Sequence, residues 1–109
     1  MAVAYKVLGQ SKPSAATQTT LYTVPASTET VVSSIIVCNQ SATATSFRLN
    51  IDPAGGGDST EQYIYYDLPI DGNDSFAATL GLTLATTDLV RIYATLATLS
   101  FSLMGSEIT

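Results

Sequence analysis

Few residues in this chain have the chemistry to act as catalysts or ligands, and they are scattered. Cys38 is the sole thiol. A nucleophilic thiol needs a base, usually His, and an electropositive setting. The chain has no His, and Cys38 follows Ile35-Ile36-Val37, so it reads as a small buried apolar residue. Asp71-Gly72-Asn73-Asp74 looks like half a calcium loop. A full loop would continue with spaced carboxylates and a glutamate. Ser75-Phe76-Ala77-Ala78-Thr79 follows instead, so the segment is read as a turn, with weak calcium binding left open. Gly55-Gly56-Gly57-Asp58 lacks the Lys-Ser/Thr pair and the helix of a phosphate loop. Asp52, Asp58, Asp71, Asp74 and Asp88 fall in turns, where Asp belongs structurally. Asp67 is the one carboxylate in a strand, with Arg48 and Arg91 as candidate partners. Paired carboxylates could serve a glycosidase, but no such pair is evident. No catalytic, cofactor-binding or metal site is assigned.

Six tyrosines remain: Tyr5, Tyr22, Tyr63, Tyr65, Tyr66 and Tyr93. Tyrosine suits strands and protein interfaces. Tyr63, Tyr65 and Asp67 share one face by alternation, with Ile64, Tyr66 and Leu68 on the other. Tyr63 and Tyr65 are therefore either interface residues or part of an ordinary exposed strand face.

The elements that must position these residues alternate with period two. In Thr45–Asp52, Phe47, Leu49 and Ile51 point to a core, and Ser46, Arg48, Asn50 and Asp52 point out. Leu99-Ser100-Phe101-Ser102-Leu103 alternates as clearly. Phe76 to Leu84 is one long strand kinked at Gly81, or two strands; Thr79, Gly81 and Thr83 argue against a helix there. Glu29–Asn39 is β-branched and apolar on both faces near Ile35 to Cys38, as in a strand covered on one side by the core and on the other by a loop or a neighbouring subunit. Tyr5–Gly9, Thr20–Val24, Gln62–Pro69 and Leu89–Ala94 complete about eight strands. Turn-forming clusters separate them, and Asp52 to Thr60 is the longest flexible loop. This spacing predicts an all-β, jelly-roll-like β-sandwich as one domain over residues 1–109. Residues 1–12, isolated by Pro13, form an N-terminal arm or an edge strand.

With 109 residues the chain has room for one modest core. Charged residues are only 12% of it, and the net charge is −5. Lys6, Lys12, Arg48 and Arg91 are dispersed, so the clustered basic footprint of a nucleic-acid or anionic-membrane binder is missing. The N-terminus carries no secretory pattern, and no apolar run reaches the length of a membrane span. Synthesis in a cytoplasm is expected. Mean hydropathy is positive despite the small share of charge. Such a chain exposes apolar patches or covers them with copies of itself, and the second is expected.

Several segments carry a resemblance. They are Tyr5-Lys6-Val7-Leu8-Gly9-Gln10, Thr20-Leu21-Tyr22-Thr23-Val24-Pro25-Ala26, Val31 to Asn39, Tyr63 to Ile70, and the ending Leu103-Met104-Gly105-Ser106-Glu107-Ile108. Together the chain resembles small virion structural proteins of tailed bacteriophages, cyanophages included. The resemblance implies a β-sandwich attached to a virus particle. The favoured place is the capsid exterior, as a non-enzymatic cement or decoration protein bound to the major capsid protein, often as a homotrimer. The alternative is a tail, neck or baseplate component, or a receptor-contacting accessory domain. A third reading, a small hydrolase of the host envelope, lacks His and any nucleophile–base set. The resemblance brings no catalytic motif, cofactor or metal with it.

Overall fold

Strands that alternate apolar and polar residues pair best when each apolar face finds a second sheet to cover it. In the computed structural model, which describes residues 2–109, eight strands do so. They are β1 (Val3–Ser11), β2 (Thr19–Thr23), β3 (Glu29–Asn39), β4 (Thr45–Asp52), β5 (Tyr63–Ile70), β6 (Ser75–Leu84), β7 (Leu89–Ala94) and β8 (Leu99–Ile108). Pairing is antiparallel and nested: β4 with β5, β3 with β6, β2 with β7, β1 with β8. The chain is thus one long hairpin. Rolling it up adds the β3–β8 and β4–β7 ladders. The result is a first sheet ordered β1-β8-β3-β6 and a second ordered β2-β7-β4-β5. That is the jelly-roll form of the β-sandwich.

The two sheets meet over a core centred on Phe47, which is fully buried. Its ring centroid lies 5.9 Å from that of Phe101, 5.5 Å from Phe76 and 6.1 Å from Tyr65. These tilted and edge-on contacts are the favoured aromatic geometry. Ile35, Leu49, Leu99 and Leu103 fill the space around it. The alternation of Phe47 with Leu49 and of Leu99, Phe101 and Leu103 therefore fixed the inner faces correctly. Ser75–Leu84 is one strand, with a bulge opposite Ser33 at Leu80–Gly81.

Two expectations about faces fail. Asn50 and Asp52 are buried, at 1% and 0% exposure. The segment after β4 returns across their face through short 3-10 turns at Pro53–Gly55 and Thr60–Gln62. That segment is not open chain: Gln62 Nε2 donates to Gly57 O, and Gly57 N donates to Asp52 Oδ1. Tyr63 and Tyr65 do not share an outer face. Asp67 adopts φ +52° and adds one residue to β5 opposite Arg48. This bulge leaves Tyr65 and Leu68 on the core side and Tyr66 and Asp67 outside, and a second register shift at Ile64 parts Tyr63 from Tyr65. Among the described residues no loop covers the outer side of β3, so of the two covers expected there a neighbouring subunit remains. Ile36 is 39% exposed, and Cys38 is half-buried, not enclosed.

Candidate functional site

The outer faces of the two sheets differ in chemistry. On the second sheet, the β5 bulge sets both Tyr66 and Asp67 against Arg48 of β4. Arg48 Nε donates to Asp67 Oδ1 at 2.7 Å, and Nη2 donates to Oδ2 at 3.3 Å. The guanidinium carbon lies 4.2 Å from the Tyr66 ring centroid and 4.4 Å from that of Tyr93 on β7. Cation–π attraction holds both rings to it. Donating to Asp67 raises the already high basicity of Arg48, so its charge is permanent. Tyr63 meets Tyr66 edge-on at 4.9 Å. Thr60, Tyr63 and Tyr66 line a hollow of about 400 Å³. The row Tyr93–Arg48–Tyr66–Tyr63 is thus a rigid aromatic ledge with a fixed cation, and Tyr66 is 59% exposed on it.

Of the two arginines proposed for Asp67, Arg48 is the partner. Arg91 serves a separate group beneath the loop after β4. Its Nη2 lies 3.4 Å from Asp52 Oδ2, and its Nη1 lies 3.4 Å from Asp58 Oδ1. Asn50 Nδ2 donates to Asp58 Oδ1 at 3.2 Å, and Gln18 Nε2 donates to Asn50 Oδ1. Among the described residues Asp52 Oδ2 finds no hydrogen-bond partner and is held by Arg91's charge alone. A cation bound there would compete with that guanidinium. Sequence reasoning missed this group because its members lie on β4, on β7 and in two loops.

The acidic loop Asp71-Gly72-Asn73-Asp74 is a turn docked on the 40–44 loop. Asn73 N donates to Ser41 O, and Asp74 caps the N–H of Ser75. Buried Asn39 ties both loops: its Nδ2 donates to Thr43 O and Asp71 O, and its Oδ1 accepts from Ser41 N. Among the described residues no three His, Cys, Asp or Glu side chains gather as metal ligands. At one end of the sandwich, Glu107 on β8 joins Lys6 Nζ at 2.9 Å and Tyr22 Oη at 2.5 Å. Those two hydrogen bonds, Tyr22's the larger, hold the Glu107 carboxyl below its usual range.

The outer face of the first sheet is the opposite of the ledge. By register, its residues are Val3, Tyr5, Val7, Met104, Ile108, Val31, Ile36 and Cys38, interspersed with Ser and Thr. Glu29 is the one charged strand residue there. Val3, Tyr5, Val7 and Ile36 are exposed. No helix of the structure is long and apolar enough to cross a membrane. The two surfaces with binding character are therefore an aromatic–arginine ledge and a largely apolar face with a single strand charge, Glu29.

No protein-family model and no curated protein matches the chain. Solved structures do. A chain in the structure of infectious bursal disease virus, Gt strain, is similar over 96% of this chain, with TM-score 0.55 and 11% identity. A chain of the Gx strain is similar over 97%, with TM-score 0.54 and 9% identity. This chain spans 31% of each of those chains. At such identity the likeness is one of fold.

Proposed function

We propose that this protein is a non-enzymatic structural component of a virus particle, a cement or decoration protein on the exterior of a tailed-bacteriophage capsid. The observation that carries the reading is the jelly roll itself: almost the whole chain superposes on part of a chain from a virus structure. Jelly rolls also serve lectins and cupins, so the resemblance to phage virion proteins narrows the choice. The partner is the assembled major capsid protein. A ligand that binds only the assembled shell stabilises it by mass action, and several linked copies attach by avidity.

The ledge is the surface we assign to the shell. Tyr and Arg dominate interface hot spots, and Arg48 already fixes Tyr66 and Tyr93, so little side-chain freedom is lost on docking. The open hollow beside Tyr63 favours a second reading, a tail or baseplate component that contacts a receptor.

Counting this chain against the major shell protein in purified particles, by quantitative mass spectrometry, separates the two. A ratio near one, or one per few shell subunits, supports decoration of the capsid. A handful of copies per particle moves the protein to the tail or neck and ends the cement reading.

A further inference from the structure

β1 is an edge strand, bonded to β8 on one side only. Its two halves differ. From Leu8 onward β1 lies against β2: Gly9 sits so close to the Leu21 carbonyl that a Cβ there would fall 2.4 Å from its oxygen. A bulge at Leu8 separates this half from Val3–Val7, and all five residues of that first half are exposed.

The hydrogen-bond phase of the open half follows from its start. Ala2 and Thr109 exchange both backbone bonds, Ala2 N to Thr109 O and Thr109 N to Ala2 O. In an antiparallel ladder such pairs alternate with unbonded ones. Ala2, Ala4 and Lys6 therefore direct their N–H and C=O groups to β8. Val3, Tyr5 and Val7 direct theirs away, to the open edge. The same three residues carry their side chains on the largely apolar outer face, at 48%, 85% and 51% exposure. Edges of this kind are normally guarded by charge, Pro or twist. Lys6 is the one charge in the segment, and its ammonium is turned to Glu107.

This edge is complementary to itself. We infer that two copies pair β1 with β1, antiparallel about a two-fold axis at Tyr5, joining their first sheets into one continuous eight-stranded sheet. Tyr5 then faces the partner's Tyr5, and Val3 faces the partner's Val7. Every outward N–H and C=O of the three residues finds its counterpart, as an isologous contact requires. Cross-strand aromatic and β-branched pairs stabilise such ladders. Lys6 falls opposite Ala4, so no like charges meet. The one strand charge on that face, Glu29, lies two strands from the join. An extended segment of another protein could cap the same edge, but it would not need this symmetric Val-Tyr-Val pattern. The inference stands whether or not the protein decorates a capsid.

Sedimentation equilibrium of the full chain tests it, with cross-linking to fix the register. The expected mass is twice the 11.4 kDa of one chain. In a Cys38→Ser background, Tyr5→Cys should oxidise to covalent pairs, because bonded cross-strand Cα atoms sit about 5.5 Å apart, within disulfide reach. Val3→Cys alone should stay monomeric on reducing-agent-free gels, and Val3→Cys with Val7→Cys should cross-link. Tyr5→Pro removes an N–H that β8 does not use, and should give folded single chains. Val7→Glu should weaken the pair by setting a charge against the partner's Val3 in place of the Val–Val contact. A single-chain mass at millimolar concentration, a three-chain mass, cross-linking by Val3→Cys alone, or a pair that survives both Tyr5→Pro and Val7→Glu overturns the inference.

Discussion

The Tyr22 hydroxyl of β2 lies 2.5 Å from Glu107 Oε2 on β8 and 2.8 Å from Thr30 Oγ1 on β3. One phenol thus bridges the second sheet to the two central strands of the first. Burial, then the hydrogen bond to Glu107, pushes the Tyr22 pKa up to about 12.

Replacing Tyr22 by Phe is expected to cost about 1–3 kcal/mol at neutral pH, because Thr30 and Glu107 lose their shared partner. The pH dependence gives a sharper signature. A phenol with a raised folded pKa adds stability that is complete below its ordinary value of 10.0 and is lost as pH rises through about 12. Urea unfolding at pH 7 and pH 11 should show a smaller alkaline loss in Tyr22→Phe than in the native chain. Glu107 acts at the other limb. Its lowered pKa gives stability that is present above 4.5 and lost as pH falls through the lowered value. Glu107→Gln should flatten that acid limb.

Asn39 is 2% exposed and fully satisfied. Asn39→Ala would strand the carbonyls of Thr43 and Asp71 and the N–H of Ser41 at once. The expected loss is about 2–4 kcal/mol. Asn39→Asp should be worse, since a carboxylate would face two carbonyl oxygens. Denaturant midpoints of the two variants check both the size and the order.

The sequence made this region legible only in part. Alternation located the strands, and it placed Phe47, Leu49, Phe101 and Leu103 inside, because period two is a local property of the chain. It failed wherever the pairing partner sets the phase. The Asp67 bulge exists because two residues of β5 oppose Arg48 alone, and nothing local in Tyr63-Ile64-Tyr65-Tyr66-Asp67 announces it. Asn50 and Asp52 look solvent-facing until a loop ten residues long folds back over them. The Arg48–Asp67 pair was accessible as a candidate because both are charged strand residues. The stacking of Tyr66 and Tyr93 on that arginine was not, since it joins three strands far apart in the chain.

Two glycines should respond to alanine in opposite directions. At Gly72 a Cβ would fall 2.1 Å from the backbone oxygen of Ala42, so the docked turn must move. Gly72→Ala is expected to cost more than about 2 kcal/mol. At Gly81 nothing lies within 4 Å of the added carbon. There, reduced freedom of the unfolded chain should leave Gly81→Ala stabilised by about 0.4–1 kcal/mol. Thermal unfolding of the pair tests the contrast.

If the ledge docks on the shell, Tyr66→Ala should strip the protein from particles without unfolding it. Tyr66 is largely exposed, so losing its contacts to Arg48 and Tyr63 should cost about 1–2 kcal/mol and leave the sandwich folded. A central Tyr hot spot contributes about 2 kcal/mol or more to binding, roughly a thirtyfold change in affinity. Occupancy on particles, read by mass spectrometry beside a melting curve that still shows one cooperative transition, is the measurement. Full occupancy of Tyr66→Ala particles would move the contact to another face.

The Asp52–Arg91 pair should show the asymmetry of a buried charge. Asp52 is wholly enclosed, and among the described residues Arg91 is its only cationic neighbour. Removing one member leaves the other charge without compensation in a poorly solvated place, at a cost of about 3–5 kcal/mol. Removing both charges takes away the attraction and the desolvation penalty together. Arg91→Met alone should therefore be strongly destabilised, while Arg91→Met with Asp52→Asn should recover most of the loss. Asn retains an oxygen to accept from Gly57 N, so the loop keeps its anchor. A double-mutant cycle from urea unfolding reads the coupling directly. Equal losses in the single and double variants would mean that the Arg91 stem, packed under the loop, matters more than its charge.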